Sequence, residues 1–294
     1  MAEQSMFAYQ AIPGFFECDE APAGPDFRAT TTPGLGLIDR TYGTDAEFDP
    51  MGDKTQWERF EYYLASLNKQ GDGKVKYKLI YYIRHGEGFH NVKEHQVGTV
   101  VWDDHWSRLD GDGVVEWFDA FLTDTGKQQA QALNDFWRHS TRDLKIPLPQ
   151  EYYSSPHARC LETTRIAYSG LEQPADRVFK PVVKEMLRER TGEHTCDKRR
   201  TRSWIAENYP DFRIEEGFTQ EDEIWKADYR ETADDAKIRV IKLLNDVFSN
   251  SDKSIVSFTA HSSLVHGLHA AIGHRDIFLH PGAMIPLLVR ATTL

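Results

Sequence analysis

Lys78-Leu79-Ile80-Tyr81-Tyr82-Ile83-Arg84-His85-Gly86-Glu87 decides the reading of this chain. The run is β-branched, aromatic and apolar at successive positions, so it has no solvent face. That pattern predicts a central strand of a parallel α/β sheet, buried between helix layers. Ligands of such sheets bind beyond the carboxyl ends of the strands, which is where His85 falls. Gly86 allows a sharp turn or a close approach of the backbone. Arg84 adds a permanent cation with a planar fork suited to phosphate or carboxylate. His85 is therefore the leading candidate for a reacting group, against the plainer reading of a strand-end histidine that caps a loop.

Outward from this strand, the chain reads as alternating helices and strands. A second apolar run, Ser254–Ala260, also ends on a histidine, His261, with Ser262 and Ser263 opening a helix. Glu151–Ser155 reads as a short strand, followed by Pro156 at the start of a helix capped by Ser155, with Arg159 in its first turn. Arg177–Lys184 and Ala283–Arg290 are further strand candidates. Helices are expected over Lys54–Asn68, after the cap at Thr123, and after Thr232. Two histidines, two arginines (Arg84, Arg159) and Asn91 thus converge on one sheet edge. That set suits a dianionic phosphoryl group, whose transfer needs positioning and charge stabilisation. A neutral imidazole can serve as the nucleophile.

Residues 1–75 differ from the rest, being rich in Pro and Gly yet too apolar for a disordered tail. We read them as an irregular arm packed on a domain spanning 76–294, which carries an insertion at about 92–121. That insertion is aromatic (Trp102, Trp106, Trp117, Phe118) and is either a lid or pocket wall, or simply a well-packed loop. His85, His90 and His95 are five apart, a spacing that does not share one helical face, so no metal site is expected. Of the two carboxylates near Leu187, Glu185 is expected on a strand end or in solvent and Glu189 on a loop facing the cleft. The basic loop Lys198–Arg202 offers Arg199, Arg200 and Arg202 as further substrate contacts, or is a solvated charge run.

The bulk numbers narrow the function classes. A formal net charge of −11 over 294 residues argues against nucleic acid or an anionic membrane as partner. No apolar stretch approaches a membrane span, and the start Met1–Phe7 lacks the pattern of a signal peptide. The 3 cysteines are too few for a disulfide framework. A cytoplasmic protein is expected, and a nuclear location also fits.

Five motifs in order resemble the histidine phosphatase superfamily, with its phosphoglycerate-mutase-like fold. They are Arg84-His85-Gly86-Glu87 with Asn91, Leu122–Ala130, Ser154–Thr163 around Arg159, Leu187-Arg188-Glu189, and Thr259-Ala260-His261-Ser262. The arm, the long segment after Asn91 and His194–Arg199 are most similar to fungal phosphomutase-like proteins. The resemblance implies a three-layer sandwich with a mixed, mostly parallel sheet flanked by helices. It implies His85 as the phosphorylated nucleophile, with Arg84, Arg159, His261 and Asn91 holding the phosphoryl oxygens. Glu189 is then the general acid, and no cofactor or metal is needed. Three departures stand out. Gly192 follows Glu189 closely, Ser262 replaces a usual Gly and should narrow the pocket floor, and the mutases' short bisphosphate-holding link is replaced by the long aromatic segment. The last points to a phosphatase acting on a small phosphorylated substrate. A phosphoglycerate-type phosphomutase or a non-catalytic phosphate-binding protein is the alternative.

Overall fold

The computed structural model describes residues 6–175 and 177–294; the reading of the extreme N-terminus, Met1–Ser5, lies outside them. Its organising element is β3 (Val75–Arg84), reached after β1 (Phe7–Ala11) and β2 (Arg28–Ala29). From Leu79 to Ile83 no β3 side chain is exposed to solvent, because both faces are covered. Ile80 and Tyr82 belong to one core cluster, and Leu79, Tyr81 and Ile83 to the other. Strict alternation of pleat direction over an unbroken apolar run gives this two-sided burial.

The remaining strands are β4 (Glu151–Ser154), β5 (Val182–Val183), β6 (Arg213–Ile214), β7 (Ile255–Ala260), β8 (Phe278–Leu279) and β9 (Met284–Thr293). Among the described residues the main sheet has seven strands in the order β1-β9-β3-β7-β4-β5-β6. Only β9 runs against the rest, so the sheet is mixed and mostly parallel. The small β2–β8 pair stands apart.

The helices in chain order are α1 (Asp45–Phe48), α2 (Gln56–Gln70), α3 (Phe89–Val97), α4 (Thr99–Asp104), α5 (Asp124–Asp143), α6 (Ala158–Tyr168), α7 (Arg202–Asn208), α8 (Ala233–Asn250) and α9 (Ser262–Ile272). Helices α8 and α9 cover the Ile80–Tyr82 face through residues such as Leu244, Val247 and Leu268. Helices α2, α5 and α6 cover the other through Phe60, Trp137 and Tyr168. The result is the expected three-layer sandwich. Among the described residues no helix is long and apolar enough to cross a membrane.

Two local element bounds need correction. The strand expected over Arg177–Lys184 shrinks to Val182–Val183. Val178 lies 82% exposed, and β-propensity without a surface to pack on does not hold a strand. The helix expected from Pro156 starts at Ala158. Ser155 is drawn away to hydrogen-bond His261, and the Asp119 carboxylate takes the Ala158 N–H instead, at 3.0 Å. The segment after Asn91 is helical in its first part, in α3 and α4, and irregular beyond Arg108. It builds a core of its own from Trp102, Trp117 and Ala120 against Cys196.

The arm is less irregular than its composition suggests. Phe7–Ala11 adds an antiparallel edge strand beside β9, and Phe15, Phe16, Leu35 and Tyr42 sit in the core under α2. Phe16 is fully buried between Trp57 and Phe60. Phe16→Ala should therefore destabilise the whole chain by about 3–5 kcal/mol. In urea this appears as a lower midpoint with an unchanged slope. A loss below about 1 kcal/mol would mean that the arm is an appendage, since only exposed or loosely packed positions tolerate truncation so well.

Candidate active site

Strand register brings the site together. Arg84 lies opposite Ala260 in the parallel β3–β7 pair, and Ser154 lies opposite Thr259 in β4–β7. The next residues along, His85, His261 and Ser155, must then emerge side by side at one sheet edge. The His85 N–H donates to the Ala260 carbonyl at 3.0 Å, and the Ser155 N–H to Thr259 at 3.0 Å. The rings of His85 and His261 are 5.1 Å apart. A cleft of about 620 Å³ opens over this edge.

His85 is buried, and its Nδ1 lies 2.7 Å from the Gly86 carbonyl oxygen. A carbonyl only accepts, so Nδ1 carries the proton and Nε2 keeps its lone pair. Burial pushes the imidazole pKa well below its usual 6.5, assisted by Arg159, His90 and Arg84. His90 and His261 are held neutral in the same way, burial first and the neighbouring charges second. This is the state a nucleophilic imidazole needs.

The loop that carries His85 is clamped by α5. A Cβ on Gly86 would come within 2.3 Å of the Gly126 carbonyl oxygen, and one on Gly126 within 2.1 Å of Glu87 O. Two glycines at this crossing let the backbones touch. Thr123 caps α5 by accepting the Gly126 N–H and donates to the Glu87 carboxylate. Gln129 accepts the Glu87 N–H. The Leu122–Ala130 motif is thus a mount for the loop that carries His85.

Arg84 and Arg159 are both buried beside His85. Arg84 Nη1 donates to the Leu279 carbonyl at 2.7 Å, and among the described residues no carboxylate pairs with it. Burial, and then the nearby Arg28 charge, lower its pKa to about 10. Arg159, in the first turn of α6, donates to Cys196 O and to the Asp197 carboxylate at 2.8 Å. The Nε–H of each arginine lacks an acceptor among the described residues. Buried donors of this kind are costly unless something supplies an acceptor. Asn91 lines the cleft and turns its Oδ1 to the Gly88 N–H at 3.0 Å, which leaves its amide as a donor.

Glu189 reaches the cleft from the loop after β5. Its Oε2 accepts the Ser263 N–H at the start of α9 at 3.2 Å, and its Oε1 the Arg190 N–H at 2.8 Å. The loop is fixed from behind. Arg239 of α8 donates to the carbonyls of Met186, Arg188 and Glu189. At Gly192 φ is +91°, and a Cβ there would collide with Tyr229 O. Ser262 stands on the cleft lining as expected.

His261 is fully buried behind His85, with Nε2 2.8 Å from the Ser155 hydroxyl. Its carbonyl accepts the Tyr82 hydroxyl.

Several predicted positions are not brought to the cleft. Arg199 is buried in an ion network, its Nε 3.0 Å from both Glu185 oxygens and its Nη2 on backbone carbonyls. Arg188 joins Glu185 and Asp222 in the same network. Glu185 is therefore neither on a strand end nor in solvent, because a buried carboxylate needs these partners. Arg200 lies over Phe121 and Trp204, and Arg202 is exposed at the start of α7. His95 is exposed and does not line the cleft.

Other residues reach the cleft to which the sequence reading gives no role there. Asp197 bridges Arg159 and Arg230 at 2.8 Å each. Burial alone would raise its pKa, yet Arg230 and Arg159 outweigh it and keep the carboxyl ionised. His90 is buried 5.6 Å from His85, ring to ring. No spacing announced either.

Residues 80–280 match the histidine phosphatase superfamily (branch 1). The chain belongs to this superfamily. It is 43% identical to "Probable phosphoglycerate mutase" of Arthroderma benhamiae across 97% of this chain and 85% of that one. It is 33% identical to "Probable phosphoglycerate mutase PMU1" of Saccharomyces cerevisiae, across 72% and 78%. Among solved structures, an ecdysone phosphate phosphatase from Bombix mori in complex with tungstate aligns with a TM-score of 0.41. The identity there is 19%, over 72% of this chain and 88% of that one.

The tautomer and charge of His85 are directly measurable. At pH 6.5 a free imidazole is half protonated, whereas His85 should give the ¹⁵N shifts of a neutral Nδ1–H ring. Protonation with a midpoint at or above 6.5 would contradict the burial and charge argument.

Proposed function

We propose that this protein is a phosphatase that hydrolyses a small phosphorylated metabolite through a phosphohistidine on His85. The observation that carries the proposal is the neutral His85 set between two buried arginines whose Nε–H groups lack acceptors. Such donors suit the equatorial oxygens of a phosphoryl group in flight.

In the first step the Nε2 lone pair attacks phosphorus and the bond to the leaving oxygen breaks. Arg84, Arg159 and the Asn91 amide hold the phosphoryl oxygens. His261 assists through its Nδ1, which lies 3.9 Å from Cys160 Sγ and has no other hydrogen-bonding neighbour among the described residues. Glu189 gives its proton to the departing alkoxide. In the second step Glu189, now a carboxylate, takes a proton from water as the water attacks the phosphohistidine. Inorganic phosphate leaves and His85 returns to its neutral form. Arg84 and Arg159 are the charged groups that bear on His85 and would repel a divalent cation there, so we expect the chemistry to proceed without a metal.

The names of the relatives favour a second reading, a phosphomutase. In that case the phosphoryl group returns to another hydroxyl of the substrate instead of passing to water. The long wall of α3 and α4, with its own aromatic core, stands where a bisphosphate-holding link would be expected, and this favours hydrolysis.

Glu189→Gln tests the assignment, assayed with EDTA present. On alkyl phosphates kcat should fall by about 10²–10⁴-fold, the usual yield of a positioned acid. On p-nitrophenyl phosphate, whose leaving group hardly needs a proton, the loss should be much smaller. If Glu185→Gln shows this dependence and Glu189→Gln does not, the acid is misassigned. Isomerised phosphate ester outpacing released phosphate would favour the mutase reading.

A further inference from the structure

Arg28 comes from the N-terminal arm, outside the part of the chain that matches the superfamily, yet it lines the catalytic cleft. It stands on β2, which pairs in parallel with β8 so that Arg28 faces Phe278 and Ala29 faces Leu279. The β8 strand is also what orients Arg84, through the Leu279 carbonyl. The two-stranded sheet therefore fixes both guanidinium groups relative to each other.

Arg28 lies over the Phe278 ring at 5.5 Å, a contact that restrains the side chain without neutralising it. Among the described residues it makes no ion pair and no side-chain hydrogen bond. The cleft is lined by the carboxylates of Glu94, Asp103, Asp104, Glu189, Glu193 and Asp197, and among the described residues none forms an ion pair with Arg28. Its charge is felt by the buried Arg84, whose pKa it helps to lower. Two neighbouring cations without a shared carboxylate repel each other unless an anion lies between or beside them.

We propose that Arg28 is a specificity-determining residue that binds a second acidic group, a carboxylate or a second phosphate, on the phosphorylated substrate. The inference rests on the phosphatase reading of the same cleft and names its substrate class, the dianionic-plus-acid phosphate esters. Arg84 and Arg159 hold the transferred phosphoryl group, and Arg28 reads the far end of the molecule. Because Arg28 arrives on the arm, a different arm would give the same catalytic edge a different substrate.

Matched substrates isolate the second charge. 3-Phosphoglycerate and glycerol 3-phosphate differ in a carboxylate against a hydroxymethyl group. Glucose 1,6-bisphosphate and glucose 6-phosphate differ in a second phosphate. The readout is the ratio of kcat/KM within each pair. Arg28→Ala should lower the ratio for one pair by about tenfold or more, the scale of one charge-assisted hydrogen bond. Arg28→Lys should recover part of it. A fall in the first pair identifies a carboxylate, and a fall in the second a phosphate. Ratios within twofold of the unaltered chain for both pairs would overturn the proposal, even if all rates fell together. The same ratios can be read as Kd by calorimetry on the full chain with His85→Ala. A chain that binds the esters and turns over none of them would sink the phosphatase reading, while the Kd ratios still decide the role of Arg28.

Discussion

Everything at the catalytic edge depends on one register, Arg84 opposite Ala260 in the parallel β3–β7 pair. A parallel ladder delivers equivalent ends to the same side of the sheet. That is why His85 and His261, separated by most of the chain, meet ring to ring at 5.1 Å. A slip of one residue would turn every β3 side chain to the other face and exchange its two cores. The fully buried alternation of Leu79 to Ile83 against helices on both sides makes that slip prohibitive. Packing far from the site thereby sets the geometry of the site.

The second constraint is electrostatic. Arg84 is buried with no carboxylate partner among the described residues, and Arg159 shares Asp197 with Arg230. Buried charge in this state costs stability that the core must offset. The same arrangement keeps four neighbouring imidazoles, His85, His90, His157 and His261, neutral through burial first and through the arginines next. An arriving phosphate dianion relieves the uncompensated charge, so ligand binding and local stability are linked. The glycine contact between Gly86 and Gly126 and the Arg239 clamp on the Glu189 loop hold His85 and Glu189 in place.

Much of this was legible in the residues, for a physical reason in each case. Continuous apolar runs ending in His85 and His261 declare central strands and the ligand-binding edge, because burial on two faces leaves no room for polar alternation. The resemblance of ordered motifs to the superfamily singled out Arg159, Asn91 and Glu189, all of which line the cleft. The edge strand Phe7–Ala11 was not legible, since five residues beside Pro and Gly show too little period, and their pairing partner lies at the other end of the chain. Arg199 misled because a basic run looks alike whether it faces solvent, substrate or a buried Glu185. Asp197, His90 and Arg28 carry no local signature; only tertiary packing brings them to the cleft.

The central claim is covalent chemistry at His85. Rapid quenching of the chain during turnover, followed by digestion at alkaline pH and mass spectrometry, tests it most directly. The account predicts one phosphoryl group on the peptide containing His85, acid-labile and stable to base, absent from His85→Ala and chased by excess unlabelled substrate. Steady turnover with no phosphoenzyme at any quench time, or a phosphoryl group on a different residue, would contradict it.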